Sequence, residues 1–297
     1  MMTAAALHVL LVADDFAISE GVSEGIARLG QARRISGTSA LVTLGRWLQD
    51  GPMLAALRSD IAAGLHVNLT LGAPLGPMPG LAPDGVLPEI GTLVRRAVMR
   101  RVDGTEVEAE IGRQLAQFTE IVGHRPDFID GHQHAHALPI VREALISAVL
   151  RFYRDARCKP LVRVPADMLS TLLTRSGARA KAMVLAGLSA GFAKSLAVAG
   201  LPANDGFAGV TGFGASIADV QGDLDAALRG AGGLHLVMCH PGVPSEELAA
   251  LDSITLRRAA ELDVLAHDNV LTPHIYHPPR DGVDGLIDWS RVAAGVR

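Results

Sequence analysis

Short apolar runs alternate with longer amphipathic stretches along the whole chain. Leu7–Val12 (LHVLLV) and Leu234–Cys239 (LHLVMC) are nearly continuous apolar runs of strand length, the pattern of strands buried on both faces. Gly37–Val42, Ile61–Leu69, Asp127–Asp130, Leu161–Pro165, Gly206–Phe213 and Asn269–Tyr276 read as further strands. Helical patterns fall between them. Ser19 is an N-cap before EGVSEGIARL, with Gly30 as a stop. Thr105–Val122 carries Val107, Ile111, Leu115, Phe118 and Val122 at a helical period. Arg46–Arg58, Thr92–Arg101, Pro139–Phe152, the Ala-rich stretch 166–200, Ser216–Leu228 and Thr255–Ala266 complete the set. Seven or eight β-then-α units in one chain, with no linker or repeat, predict a single domain over residues 1–297. The architecture expected is α/β, a closed (β/α) barrel; an open doubly wound sheet is the rival. A Gly- and Pro-rich stretch, Thr70–Pro88, is too long for an ordinary connection, and shaping of a binding pocket is its expected role.

Composition narrows the function. The 297 residues are 49% hydrophobic with a net charge of −4 and only 4% aromatic. That balance argues against a nucleic-acid partner, which calls for a basic surface or stacking platform. Two cysteines, Cys158 and Cys239, cannot form a disulfide framework and fit a reducing, cytoplasmic setting. The apolar start has no basic residues ahead of it, unlike a secretory signal. Lys181–Ala203 is apolar, but Lys194 leaves it too short for a transmembrane segment. It reads as a buried helix or a homodimer contact, with an interfacial helix or a cover over a lipid-like substrate as the alternative.

Polar residues gather at the predicted C-terminal strand ends: Asp14 and Asp15, His66, the run Asp130, His132, His134, His136, then Arg163 and His240. In a parallel barrel these ends meet at one mouth, where chemistry is done. Continued extension past Asp130 would put His132, His134 and His136 on one face, where a divalent metal is a good partner for imidazoles. A polar strand end or surface loop is the alternative. Adjacent carboxylates at Asp14–Asp15 persist more easily if one binds a cation and the other takes protons; a helix cap is the alternative. His66 reads first as a core histidine and second as a ligand, His240 equally as a turn histidine or general acid, and Arg163 as a substrate contact or an ion-pair partner.

The stretches VADDFAISEGVSEGI, GLHVNLTLGAPL, DFIDGHQHAH, LVRVP, LPANDGFAGVTGF and VMCHPG, in this order, resemble the YdjC-like carbohydrate deacetylases, including their chitooligosaccharide deacetylase and hopanoid-biosynthesis branch. The resemblance implies a distorted TIM-like barrel and removal of an N-acetyl group from an acetylated sugar or glycoconjugate. It implies a divalent ion, Mg or Zn, on Asp15, His66 and His132, with Asp14 as base and His240 as acid. Asp130 would then orient a ligand histidine, and Arg163, His134 and His136 would face substrate. Val12 and Ala17 stand where the family usually has Asn and Gly, a departure that bears on the substrate more than on the chemistry. A metal-dependent phosphoesterase and a non-catalytic sugar-binding barrel are the competing readings.

Overall fold

The computed structural model describes residues 7–166, 179–280 and 285–295. Its strands are β1 (His8–Phe16), β2 (Gly37–Ala40), β3 (Ala62–Val67), β4 (Phe128–Gly131), β5 (Leu161–Val162), β6 (Gly206–Ala208) and β7 (Leu234–Cys239). They form one sheet in the order β5-β4-β3-β2-β1-β7-β6, and every ladder in it is parallel. The helices are α1 (Glu20–Gln31), α2 (Trp47–Leu57), α3 (Ile90–Val98), α4 (Gly104–Val122), α5 (Val141–Phe152), α6 (Arg179–Leu188), α7 (Phe192–Val198), α8 (Ile217–Ala227), α9 (Glu246–Leu251), α10 (Thr255–Ala266) and α11 (Trp289–Gly295).

The sheet curls into a distorted TIM-like barrel whose two edge strands are joined without a ladder. Val162 N–H donates to Pro202 O at 2.8 Å. Asn204 then spans the remaining gap: its Oδ1 accepts Val164 N–H at 2.8 Å, and its Nδ2 donates to Val164 O and Gly206 O. The strand expected at Asn269–Tyr276 is absent. That segment holds a 3₁₀ turn (Thr272–His274) and pairs with the sheet only through the isolated Val9–Ile275 bridge, because Pro273 removes a donor that a ladder needs.

Alternation divides each strand between two cores. Val9, Leu11 and Ala13 of β1 face the surrounding helices, whereas Leu10 and Val12 join Ala62, Phe128, Leu161, Phe207, Leu234, Leu236 and Met238 in the second cluster, inside the barrel. Ile287, Trp289 and Val292, near the C-terminus, join that inner cluster, and Trp289 Nε1 donates to Asp127 O. Gly64 is required here, because a Cβ would sit 2.5 Å from the Phe128 ring that fills the barrel.

Helix ends follow the sequence signals. Ser19 caps α1 by accepting Val22 N–H, and Asp103 caps α4 by accepting Thr105 and Glu106 N–H. Ser216 and Asp219 form a capping box on α8. The helix α1 runs through Gly30 to Gln31. The Ala-rich stretch resolves into α6 and α7, broken at Gly191 in a left-handed turn; its part at 167–178 lies outside the described residues. Among the described residues no helix is long and apolar enough to cross a membrane.

The Thr70–Pro88 loop is ordered by α4 and α3 rather than by the barrel mouth. Glu110 accepts Leu75 N–H, Glu106 accepts Gly80 and Leu81 N–H, and Arg96 donates to the carbonyls of Gly80 and Leu81. None of its residues lines the cavity at the barrel mouth; Pro74, Pro77, Met78, Pro79 and Pro83 of the loop line a separate, open cleft.

Candidate active site

One step beyond the inner apolar layer, the same alternation turns polar side chains to the barrel mouth. Val12 is followed on that face by Asp14, Gly64 by His66, Phe128 by Asp130, Leu161 by Arg163 and Met238 by His240. The β3–β4 register pairs His66 directly with Asp130. Above this layer lies a cavity of about 330 Å³ lined by Asp14, Asp15, His66, His132, His134 and His240 among others.

Asp15, His66 and His132 converge, with one donor atom from each lying within 4.8 Å of the others. His66 Nε2 is 3.2 Å and His132 Nδ1 2.9 Å from the same oxygen, Asp15 Oδ1. Three donors each about 2.1 Å from a common ion sit roughly 3–3.5 Å apart, so this set fits a divalent cation. The surroundings fit as well. His66 Nδ1 lies 2.6 Å from Asp130 Oδ1, which turns Nε2 toward Asp15 and holds the ring, as an outer carboxylate does for a ligand histidine. Burial opposes a charge on His66, but Asp130 and Asp14 outweigh it and push the imidazole up to about 10. Burial also disfavours the Asp15 anion, yet the Arg258 cation and His132 hold its carboxyl well below the usual range.

A second acidic cluster, Asp14, His66 and Asp130, lies immediately beneath. It already contains a cation. Arg163 is fully buried and forks onto Asp14 (Nη1–Oδ2 2.7 Å, Nη2–Oδ1 2.6 Å), while Nη2 also meets Asp130 Oδ2 at 2.6 Å. Ser39 Oγ donates to Asp130 at 3.0 Å. Arg163 therefore sits under the carboxylates and outside the cavity lining, in the arrangement of the ion-pair partner rather than of a substrate contact. Burial raises the proton affinity of Asp14, and Arg163 only partly offsets it.

The expected shared face of His132, His134 and His136 is also corrected. Extension ends at Gly131, and Gln133 (φ 51°) and His134 (φ 60°) are left-handed within a 3₁₀ turn. The imidazoles consequently separate. His132 joins Asp15, and His134 lines the cavity with its ring edge-on to Phe207. His136 is fully buried, its Nε2–H donates to Arg163 O at 2.9 Å, and it does not line the cavity. Burial pushes His136 down to about 4 and His134 well below its ordinary value, so both rings are neutral at pH 7. Non-glycine residues at positive φ cluster at this mouth: Asp15, Gln133, His134 and Phe213 all line the cavity. Such strain persists where surrounding structure holds it, commonly at functional sites.

His240 lines the cavity beside Phe213, with ring centroids 5.9 Å apart. Burial, reinforced by the Arg258 cation, pushes it down to about 3, so it rests as a neutral imidazole. Its surroundings come from α10, which sequence reasoning passed over. Glu261 Oε2 accepts His240 N–H, and Arg257 holds Glu261 Oε1 at 2.6 Å. Arg258 O accepts Gly242 N–H, and the Arg258 side chain reaches Asp15. The available signal was two adjacent arginines in a helix where both prove buried.

Comparison with known proteins follows the same lines. A family model described as YdjC-like protein matches residues 8–272. A chitooligosaccharide deacetylase of Proteus mirabilis (strain HI4320) is 35% identical over 141 residues, 46% of this chain and 54% of that protein, so the chain spans about half the length of that relative. A carbohydrate deacetylase of Mus musculus is 30% identical over 256 residues, 80% of this chain and 79% of that protein. The crystal structure of a candidate cellobiose-phosphate cleavage protein from Enterococcus faecalis V583 superposes with a TM-score of 0.69 at 17% identity, covering 97% of this chain and 99% of that one, which supports the fold alone. The chain belongs to the YdjC-like family.

Proposed function

We propose that this protein is a metal-dependent carbohydrate N-deacetylase, hydrolysing the acetamide of an acetylated amino sugar to acetate and a free amine. The convergence of Asp15, His66 and His132 in a cavity that also holds Asp14 and His240 carries the reading. The names of the Proteus and mouse relatives support it. Among the described residues the lining of the cavity counts against a phosphoesterase: it includes no lysine, and its one arginine, Arg258, is engaged by Asp15 and Asp252. The proposed setting is the cytoplasm.

A divalent ion held by Asp15, His66 and His132 would supply an activated water and polarise the acetyl carbonyl. Asp14 is the proposed base, oriented by the Arg163 fork and raised in proton affinity by burial. His240 rests neutral, so it begins as a proton acceptor. The proton it delivers to the departing amine must be one released by the attacking water. The balance is an amide and one water in, an amine and acetic acid out. Asp130 fixes the His66 tautomer, and His134 offers a neutral ring to the sugar.

The test is acetate release from N-acetylated chito-oligosaccharides, measured beside a phosphate ester, with and without chelator. Chelator-sensitive acetate release supports the reading; phosphate release without acetate contradicts it. His66→Ala should lose bound metal by elemental analysis, and unchanged metal content removes His66 from the ligand set. Because the metal-free imidazole is held up to about 10, ligation at neutral pH must displace its proton. Metal affinity should therefore rise with pH, by up to about tenfold per unit below that value. Calorimetry in two buffers of different ionisation enthalpy should show proton release, and identical heats in both contradict it.

A further inference from the structure

Asp252 and Arg258 lie outside the donor set, yet they connect it to the cavity wall. Asp252 stands in the turn between α9 and α10, next to Ser253 and Ile254, and all three line the cavity. Its two carboxylate oxygens have separate tasks. Oδ1 accepts Ile254 N–H at 3.1 Å and so fixes the turn. Oδ2 receives Arg258, with Nε at 2.7 Å and Nη2 at 2.5 Å. The same Nη2 donates to Asp15 Oδ2 at 2.5 Å. Arg258 is 1% exposed and its contact with Asp15 is shielded from water, while the Asp252 carboxylate at the cavity wall is partly solvated. It occupies one oxygen of Asp15 and leaves Oδ1 to face His66 and His132.

We propose that Asp252 and Arg258 form a strut that couples the cavity wall at 252–254 to the Asp15 carboxylate, making Asp252 a positioning residue that sets metal affinity without being a ligand. The inference rests on the reading of Asp15, His66 and His132 as a metal site. The sign follows from charge. With Asp252 present, the Arg258 cation is shared between two carboxylates. With Asp252 neutral, the cation falls on Asp15 alone and competes with the metal for it.

Co²⁺ titrated into the metal-free full-length protein tests the strut, with affinity read by calorimetry and the ligand field read from the visible spectrum. Asp252→Asn keeps an oxygen for Ile254 N–H and removes the charge. It should weaken Co²⁺ binding by about 10-fold or more, the scale of losses on removing an outer-shell partner. In an Arg258→Met background the same substitution should change the affinity by less than about two-fold, because residues joined through one partner are not additive. Should Arg258→Met fail to fold, Arg258→Gln serves instead; it keeps a polar side chain, lacks the charge, and should decouple the pair in the same way. Unchanged Co²⁺ affinity in Asp252→Asn, or equal losses with and without Arg258, overturns the strut while leaving the metal site standing. Failure of the wild-type protein to bind Co²⁺ overturns both.

Discussion

Asp14→Asn keeps its metal and loses turnover by about 10²–10⁴-fold, the range for removing a general base. Asn is nearly isosteric, and Arg163 retains Asp130, so the loss belongs to proton transfer rather than to folding. Asp14 is not one of the three converging donors, which are Asp15, His66 and His132. Elemental analysis should therefore return wild-type metal content beside the depressed rate of acetate release. A variant that turns over at the wild-type rate would reassign the base to another group. A variant that loses both metal and rate would instead make Asp14 a ligand.

Arg163→Met is the largest expected change in stability. Arg163 is fully buried, and it is the guanidinium shared by Asp14 and Asp130, both of them buried. Removing one partner of a buried ion pair leaves uncompensated charge and costs about 3–5 kcal/mol. Asp14 and Asp130 would then face each other beneath the site without that cation, and the remaining charge on His66 cannot neutralise both. Denaturant titration of the metal-free protein should show the loss. The substitution should also abolish acetate release from whatever fraction remains folded, since the proposed base, Asp14, loses its fork. A stability within about 0.5 kcal/mol of wild type, the range of an inconsequential substitution, would show that Arg163 is not what neutralises the layer.

The fold was legible because strands buried on both faces are nearly continuous apolar runs, and LHVLLV and LHLVMC prove to be paired neighbours, β1 and β7. The placement of the chemistry was legible for a related reason. Polar groups two residues past the last inward apolar residue share its face, which put Asp14, His66, Asp130, Arg163 and His240 in one layer. Three things were not legible. The left-handed turn at Gln133–His134 is carried by non-glycine residues, so nothing in HQHAH signals that the imidazoles separate. The closing of the barrel depends on one backbone bond, Val162 N–H to Pro202 O, and on the Asn204 side chain rather than on a strand pattern. The contribution of α10 depends on arginines that periodicity places on a helix but that only tertiary packing buries against Asp15, Asp223, Asp252 and Glu261.

The direct measurement is an anomalous-difference map from crystals grown with Co²⁺, recorded above and below the cobalt absorption edge. The account predicts one strong peak bonded by Asp15, His66 and His132, with Asp130 on the far side of the His66 ring and Arg163 still forked on Asp14. A peak elsewhere, or none in crystals of a protein that releases acetate, would contradict it.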